Sequence, residues 1–214
     1  MWYIFRHGET FANVNKNIIQ GHMKNVFLTF NGALQAHING QKLKKLEDNF
    51  DNYKIICSPL ERAINTCQII MNEININKMP DFEDLLLERS KGIFDGMLKI
   101  EAKKNYEKEY TLSKENLWNY DFGKIETYKV ILLKLLKFYD KYKQNDKMII
   151  VAHEGINNCL MYILKRKNEI ENLEEWINNL SDEEGNKIAK EIKSVRFNQN
   201  YFYSWDGNKL EKIY

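Results

Sequence analysis

Residues 2–13 read WYIFRHGETFAN. The run from Trp2 to Phe5 is aromatic and β-branched and predicts a buried strand. It ends in Arg6, His7 and Gly8, which make poor core. A basic pair beside a flexible residue suits an anion held at the carboxyl end of a strand, where open α/β sheets collect their ligands.

The same arrangement recurs along the chain. YKIIC at 53–57 predicts a second strand, and Ser58-Pro59 predicts an N-cap and first helical position for a helix to about residue 72, carrying Arg62. KMIIVA at 147–152 predicts a further buried strand, followed by His153 and a helix from about 155 to 165. A strand-like or irregular stretch near 79–87 leads into ERSKGIFDG, which contains Glu88. Helical spacing of Ala33, Leu34, Ala36, Leu43 and Leu46 predicts a helix over 31–50 with Asn31 as N-cap. Residues 125–143 predict a strongly amphipathic helix, and two alternating runs around Asp206-Gly207 predict a closing hairpin. Residues 98–122 are polar, aromatic and weakly helical, and read as a small surface insertion. The charged stretch 168–193 predicts no particular role.

Strands alternating with helices predict a three-layer α/β/α sandwich around a mostly parallel central sheet. The expected organisation is one domain over 1–214 with a small, cap-like helical insertion around 98–122. Hydrophobic residues make up 43% and charged residues 29% of the 214, which are globular proportions. A net charge of +2, without basic runs, argues against a nucleic-acid binder. No apolar stretch approaches bilayer-spanning length, and no basic segment with a long apolar stretch opens the chain. Cys57, Cys67 and Cys159 are an odd count without close ligand spacing, so free thiols and a cytoplasmic setting are expected. A monomer or a homodimer fits these values.

Arg6-His7-Gly8, Arg62, Glu88 and His153 all follow strands or open helices, so they can converge on one pocket. Each arginine can grip two oxygens of a phosphate. Cations beside a histidine lower its pKa, which keeps the imidazole neutral and nucleophilic, provided an acceptor such as a backbone carbonyl fixes the tautomer. Gly8 lets backbone approach a ligand closely. Glu88 can supply the proton that a leaving oxygen needs.

At this point the residues resemble a family. RHGET with Asn13, LTFNGALQA at 28–36, SPLERAINT at 58–66, ERSKGIFDG at 88–96 and VAHEG at 151–155 are similar, in order, to the motifs of the histidine phosphatase superfamily, phosphoglycerate mutase-like branch. The resemblance implies His7 as a nucleophile that becomes phosphohistidine, with Arg6, Arg62 and His153 binding the phosphoryl group. It implies Glu88 as proton donor, and Gly8, Asn13, Thr10, Gln20 and Gly21 along the phosphate and substrate side. It also implies a small phosphorylated substrate and no metal or organic cofactor.

Two positions depart from the pattern. The family usually has His-Gly where this chain has His153-Glu154-Gly155, and in the acid-phosphatase branch an acidic residue at that place is the acid. Glu154 is therefore a rival to Glu88. Val26-Phe27 replace a polar-Pro pair before Leu28-Thr29, altering the rim. Simpler readings stand beside these: His37 as an exposed helix residue, His22 as rim, and most lysines of the insertion as solvated surface, with Lys91 and Lys24 as candidates for extra substrate charge. The leading expectation is a metal-independent phosphatase. The alternatives are a phosphoglycerate mutase using the same residues, and a phosphate-binding protein catalytically impaired by Glu154.

Overall fold

The computed structural model describes residues 1–214. In chain order it contains β1 (Trp2–Arg6), α1 (Phe11–Val14), α2 (Phe30–Lys44), β2 (Lys54–Cys57), α3 (Glu61–Glu73) and β3 (Asp81–Phe82). Next come α4 (Lys99–Asn105), α5 (Glu107–Glu115), α6 (Tyr128–Tyr142), β4 (Met148–Ala152) and α7 (Glu154–Arg166). The chain closes with α8 (Leu173–Asn179), α9 (Asp182–Ser194), β5 (Phe202–Trp205) and β6 (Leu210–Ile213).

The strands form one sheet in the order β3-β2-β4-β1-β5-β6. β1, β2, β3 and β4 run parallel, while the terminal hairpin adds β5 antiparallel to β1 and β6 antiparallel to β5. Alternation along each strand divides the core into two layers. Ile4, Ile56 and Ile150 face one side with Leu132, Leu135 and Leu160 of α6 and α7. Phe5, Ile55 and Ile149 face the other with Leu43, Ala63 and Ile70 of α2 and α3. Each such side chain contributes roughly 1.5–3 kcal/mol of transfer free energy. Strands covered on both faces read as continuous apolar runs, as 2–5 and 148–152 do.

Three local expectations are corrected. α2 starts at Phe30 and ends at Lys44, with Thr29 and not Asn31 as its N-cap, because Thr29 Oγ1 accepts from the Gly32 amide at 3.0 Å. Leu34 and Leu46, counted as its apolar face, are exposed. α3 begins at Glu61 behind Leu60, which makes no side-chain cap, because the Ser58 hydroxyl is engaged elsewhere. The stretch 168–193, given no role, forms α8 and α9, which pack against α6 and α7.

Within 98–122 the chain folds into α4 and α5, and Ala102 and Tyr110 share a small core with Phe94 and Ile125. No helix is long and apolar enough to cross a membrane.

Candidate active site

Strand register brings the two histidines together. Arg6 pairs with Ala152 and Cys57 with Val151, so β1, β4 and β2 end level with one another. The His7 amide donates to the Ala152 carbonyl at 2.9 Å, and the Ser58 amide to Val151 at 3.0 Å. β1 connects to β2 across the intervening β4, so the chain changes direction at this edge, a place where α/β sheets form clefts. His7 and His153 lie with ring centroids 5.2 Å apart.

Both histidines are buried and neutral. His7 Nδ1–H donates to the Gly8 carbonyl at 2.7 Å, which leaves the Nε2 lone pair free. Burial, then Arg6 and Arg62, holds its pKa well below the ordinary value. Burial, not the flanking cations, is the larger cause. The Ser58 hydroxyl donates to His153 Nε2 at 2.8 Å, an assignment made from the hydrogen-bond network that places the ring proton on Nδ1. Burial, then Arg62, His7 and Arg6, likewise lowers the His153 pKa.

The arginines are anchored by their outer nitrogens. Arg62 is 1% exposed and donates from Nη1 to the Met23 carbonyl at 3.0 Å and from Nη2 to Gly21 at 2.9 Å. Arg6 donates from Nη1 to the Phe197 carbonyl at 2.7 Å and pairs with Glu154 at 3.2 Å. This leaves Arg6 Nε, Arg62 Nε and His153 Nδ1 buried without a protein partner. An unpaired buried donor costs roughly 1–3 kcal/mol, so three in the cluster around His7 mark a place built for an acceptor.

Glu88 and Glu154 differ in commitment. Glu154 is held by Arg6. Glu88 Oε1 accepts from the Arg89 amide at 2.8 Å, and its other oxygen makes no hydrogen bond to protein. Both border a cavity of about 410 Å³ together with Arg6, His7, Asn13, Gln20 and Gly21. Arg62 and His153 form the buried side of the same cluster and do not line the open cavity.

Thr10 and Gly8 are both engaged with the chain itself. Thr10 is buried and acts as the cap of α1: its hydroxyl accepts from the Asn13 amide and from Gln20 Nε2, both at 3.1 Å. It positions those residues and does not face the cavity. The Gly8 amide donates to Thr66 Oγ1 at 3.0 Å, and a Cβ at Gly8 would lie 2.2 Å from the Gly32 carbonyl oxygen. Gly8 thus lets two chain segments approach each other closely. Gly21 has φ of +40°, and a Cβ there would overlap Asp95.

Ser58, which its place before Pro59 marks as a cap, orients His153 instead. Arg89, Lys193 and Arg196 also line the cavity, and no local sequence signal marks them. No grouping of three His, Cys, Asp or Glu side chains is placed to hold a metal ion.

Comparison with known proteins identifies the family. The family model described as histidine phosphatase superfamily (branch 1) matches residues 2–183. The chain belongs to that superfamily. A Schizosaccharomyces pombe protein named "Probable phosphatase" is 30% identical over 163 residues, covering 74% of this chain and 70% of that protein. The phosphoglycerate mutase of the same yeast is 28% identical over 170 residues, covering 75% and 77%. The crystal structure of the alpha-ribazole phosphatase from Shigella flexneri superposes with a TM-score of 0.70 at 20% identity, covering 94% of this chain and 88% of that one, which shows a shared fold.

Proposed function

We propose that this protein is a phosphatase that hydrolyses a small phosphorylated metabolite through a phosphohistidine on His7, without a metal ion. The observation that carries the reading is the set of three unpartnered buried donors, Arg6 Nε, Arg62 Nε and His153 Nδ1, around a neutral His7.

In the first step the His7 Nε2 lone pair attacks phosphorus and the ester P–O bond breaks. The three donors take up the charge on the phosphoryl oxygens, and Glu88 gives its proton to the leaving oxygen. In the second step Glu88, now a carboxylate, takes a proton from water. The oxygen attacks phosphorus, the P–N bond breaks, and inorganic phosphate leaves with His7 neutral again. Gly8, by accepting from Nδ1, holds the tautomer through both steps. Glu88 is preferred to Glu154 because Glu154 is committed to Arg6. The buried, unpaired cysteines fit the cytoplasmic setting expected of such an enzyme.

A phosphoglycerate mutase would use the same residues, and a relative of that name supports keeping it as the second reading. The absence of an Arg-Arg pair between Glu88 and His153 favours hydrolysis.

The test is p-nitrophenyl phosphate hydrolysis with excess chelator, alongside a coupled mutase assay on 3-phosphoglycerate, for wild type and His7→Ala. Chelator-resistant phosphate release, lost in His7→Ala, is expected. Mutase turnover without hydrolysis would replace this reading with the second, and a wild type inactive in both assays would leave a phosphate-binding protein.

A further inference from the structure

Residues 87–90, which carry Glu88, belong to no helix or strand, so their polar groups need partners from elsewhere in the chain. One residue, Glu126, supplies several. Its carboxylate accepts from the Ser90 amide at 2.7 Å, and its backbone carbonyl accepts from Arg89 Nε at 2.7 Å. The Glu126 amide in turn donates to the Ser90 carbonyl at 3.1 Å. Lys134 of α6 donates to the other carboxylate oxygen at 3.1 Å and to the Leu87 carbonyl at 3.4 Å. Glu126 and its partner Lys134 therefore grip the chain on both sides of Glu88. Glu126 does not itself line the cavity that Glu88 borders.

The same carboxylate reaches the phosphate side of the site. His22 Nε2 is buried and lies 3.6 Å from Glu126 Oε2, beyond hydrogen-bond length but within ion-pair range. Its neighbours Gly21 and Met23 provide the carbonyls that anchor Arg62. Asp95 makes comparable ties, to Ser90 Oγ and the Lys91 amide, both at 2.9 Å, but it belongs to the ERSKGIFDG stretch itself. Glu126 lies outside every motif around His7, Arg62, Glu88 and His153, so nothing local in the sequence marks it. The Glu88 side chain has a single tie of its own, the Arg89 amide at 2.8 Å. A carboxyl that gives a proton in one step and takes one in the next must stay within hydrogen-bond reach of the reacting oxygens. Its place is therefore set by what holds its backbone, and a shift of about 1 Å is enough to slow the chemistry severely.

We propose that Glu126 is a positioning residue for the reaction: by holding residues 87–90 it keeps the Glu88 carboxyl where the leaving oxygen is protonated. This rests on the phosphatase reading with Glu88 as the acid.

The experiment compares kcat/KM for p-nitrophenyl phosphate and phenyl phosphate in wild type, Glu126→Ala, Glu126→Gln, Glu88→Gln and the double variant Glu88→Gln with Glu126→Ala. This constant covers the step that expels the leaving group, and phenolate, the more basic of the two, depends more on the proton from Glu88. The ratio of the two constants does not change with the fraction of protein that is active, so a merely structural loss leaves it unmoved. Glu126→Ala should raise the ratio, p-nitrophenyl over phenyl, by about tenfold. Glu126→Gln keeps an acceptor for the Ser90 amide and should raise it less. The double variant should match Glu88→Gln alone, because Glu126 acts through Glu88. Should Glu126→Ala not fold, the ratio in Glu126→Gln decides in the same way. An active wild type whose ratio is unchanged by the Glu126 substitutions, or effects that multiply in the double variant, overturns the proposal. A wild type that hydrolyses neither ester overturns the phosphatase reading, and the proposal falls with it.

Discussion

Glu88 rests its carboxylate against the backbone of Gly155, where a Cβ would stand 2.9 Å from Glu88 Oε1. The obstructing atom is the far end of a flexible side chain, so Gly155→Ala is expected to fold and to push the carboxyl aside. A displaced proton donor lowers kcat by about tenfold to a hundredfold with little change in KM, while the urea midpoint stays close to wild type. An unchanged kcat would remove Glu88 from the chemistry. At this scale the sequence was most informative where a side chain follows a strand, as His7, Arg62 and His153 do. It was least informative where one hydroxyl can serve two partners: Ser58 satisfies the usual cap preference, yet donates to His153 95 residues away. Thr10 was similarly legible as a site residue but not as the cap that it is, because the role depends on where Gln20 folds back.

Helix α9 illustrates what an element adds. It starts with a reciprocal cap, in which Ser181 Oγ accepts from the Glu184 amide and Glu184 returns to the Ser181 amide. Ala189 and Ile192 are buried on its inner face, and Lys193 and the following Arg196 reach the cavity. The pattern S-x-x-E followed by apolar residues at helical spacing was present at 181–192, but the surrounding charge obscured it. Gly185 is the closest docking point, since a Cβ there would lie 2.2 Å from the Trp118 indole. Trp118 is fully buried and its amide donates to Asn186 Oδ1 at 3.1 Å. Gly185→Ala therefore overpacks this contact, and chemical denaturation should show a loss of about 1–3 kcal/mol. A midpoint equal to wild type would mean that α9 is not fixed against this segment.

Across the whole molecule, the parallel core was legible because β1, β2 and β4 read as short apolar runs with chemistry-bearing residues after their ends, whereas β3 is the exposed pair Asp81–Phe82. The position of β4 between β1 and β2 was not, since strand order depends on long-range packing. That order sets two neutral histidines side by side, with a consequence for stability against pH. His7 and His153 have folded pKa values well below the ordinary 6.5, so the unfolded chain binds their protons first as pH falls. Stability from these groups is complete above pH 6.5 and declines below it, with each contributing a slope of up to about 1.4 kcal/mol per pH unit. Urea unfolding between pH 7.5 and 5 should show this decline, and His7→Ala should reduce its steepness. Equal slopes in the two proteins would mean that His7 is not held neutral.

The central claim concerns one covalent bond, between His7 Nε2 and phosphorus. Rapid quenching of wild type with p-nitrophenyl phosphate under basic conditions, followed by peptide mass spectrometry, tests it directly. The account predicts an acid-labile phosphoryl group on the peptide containing His7, absent from His7→Ala. Steady hydrolysis with no such adduct, or an adduct on another residue, would contradict it.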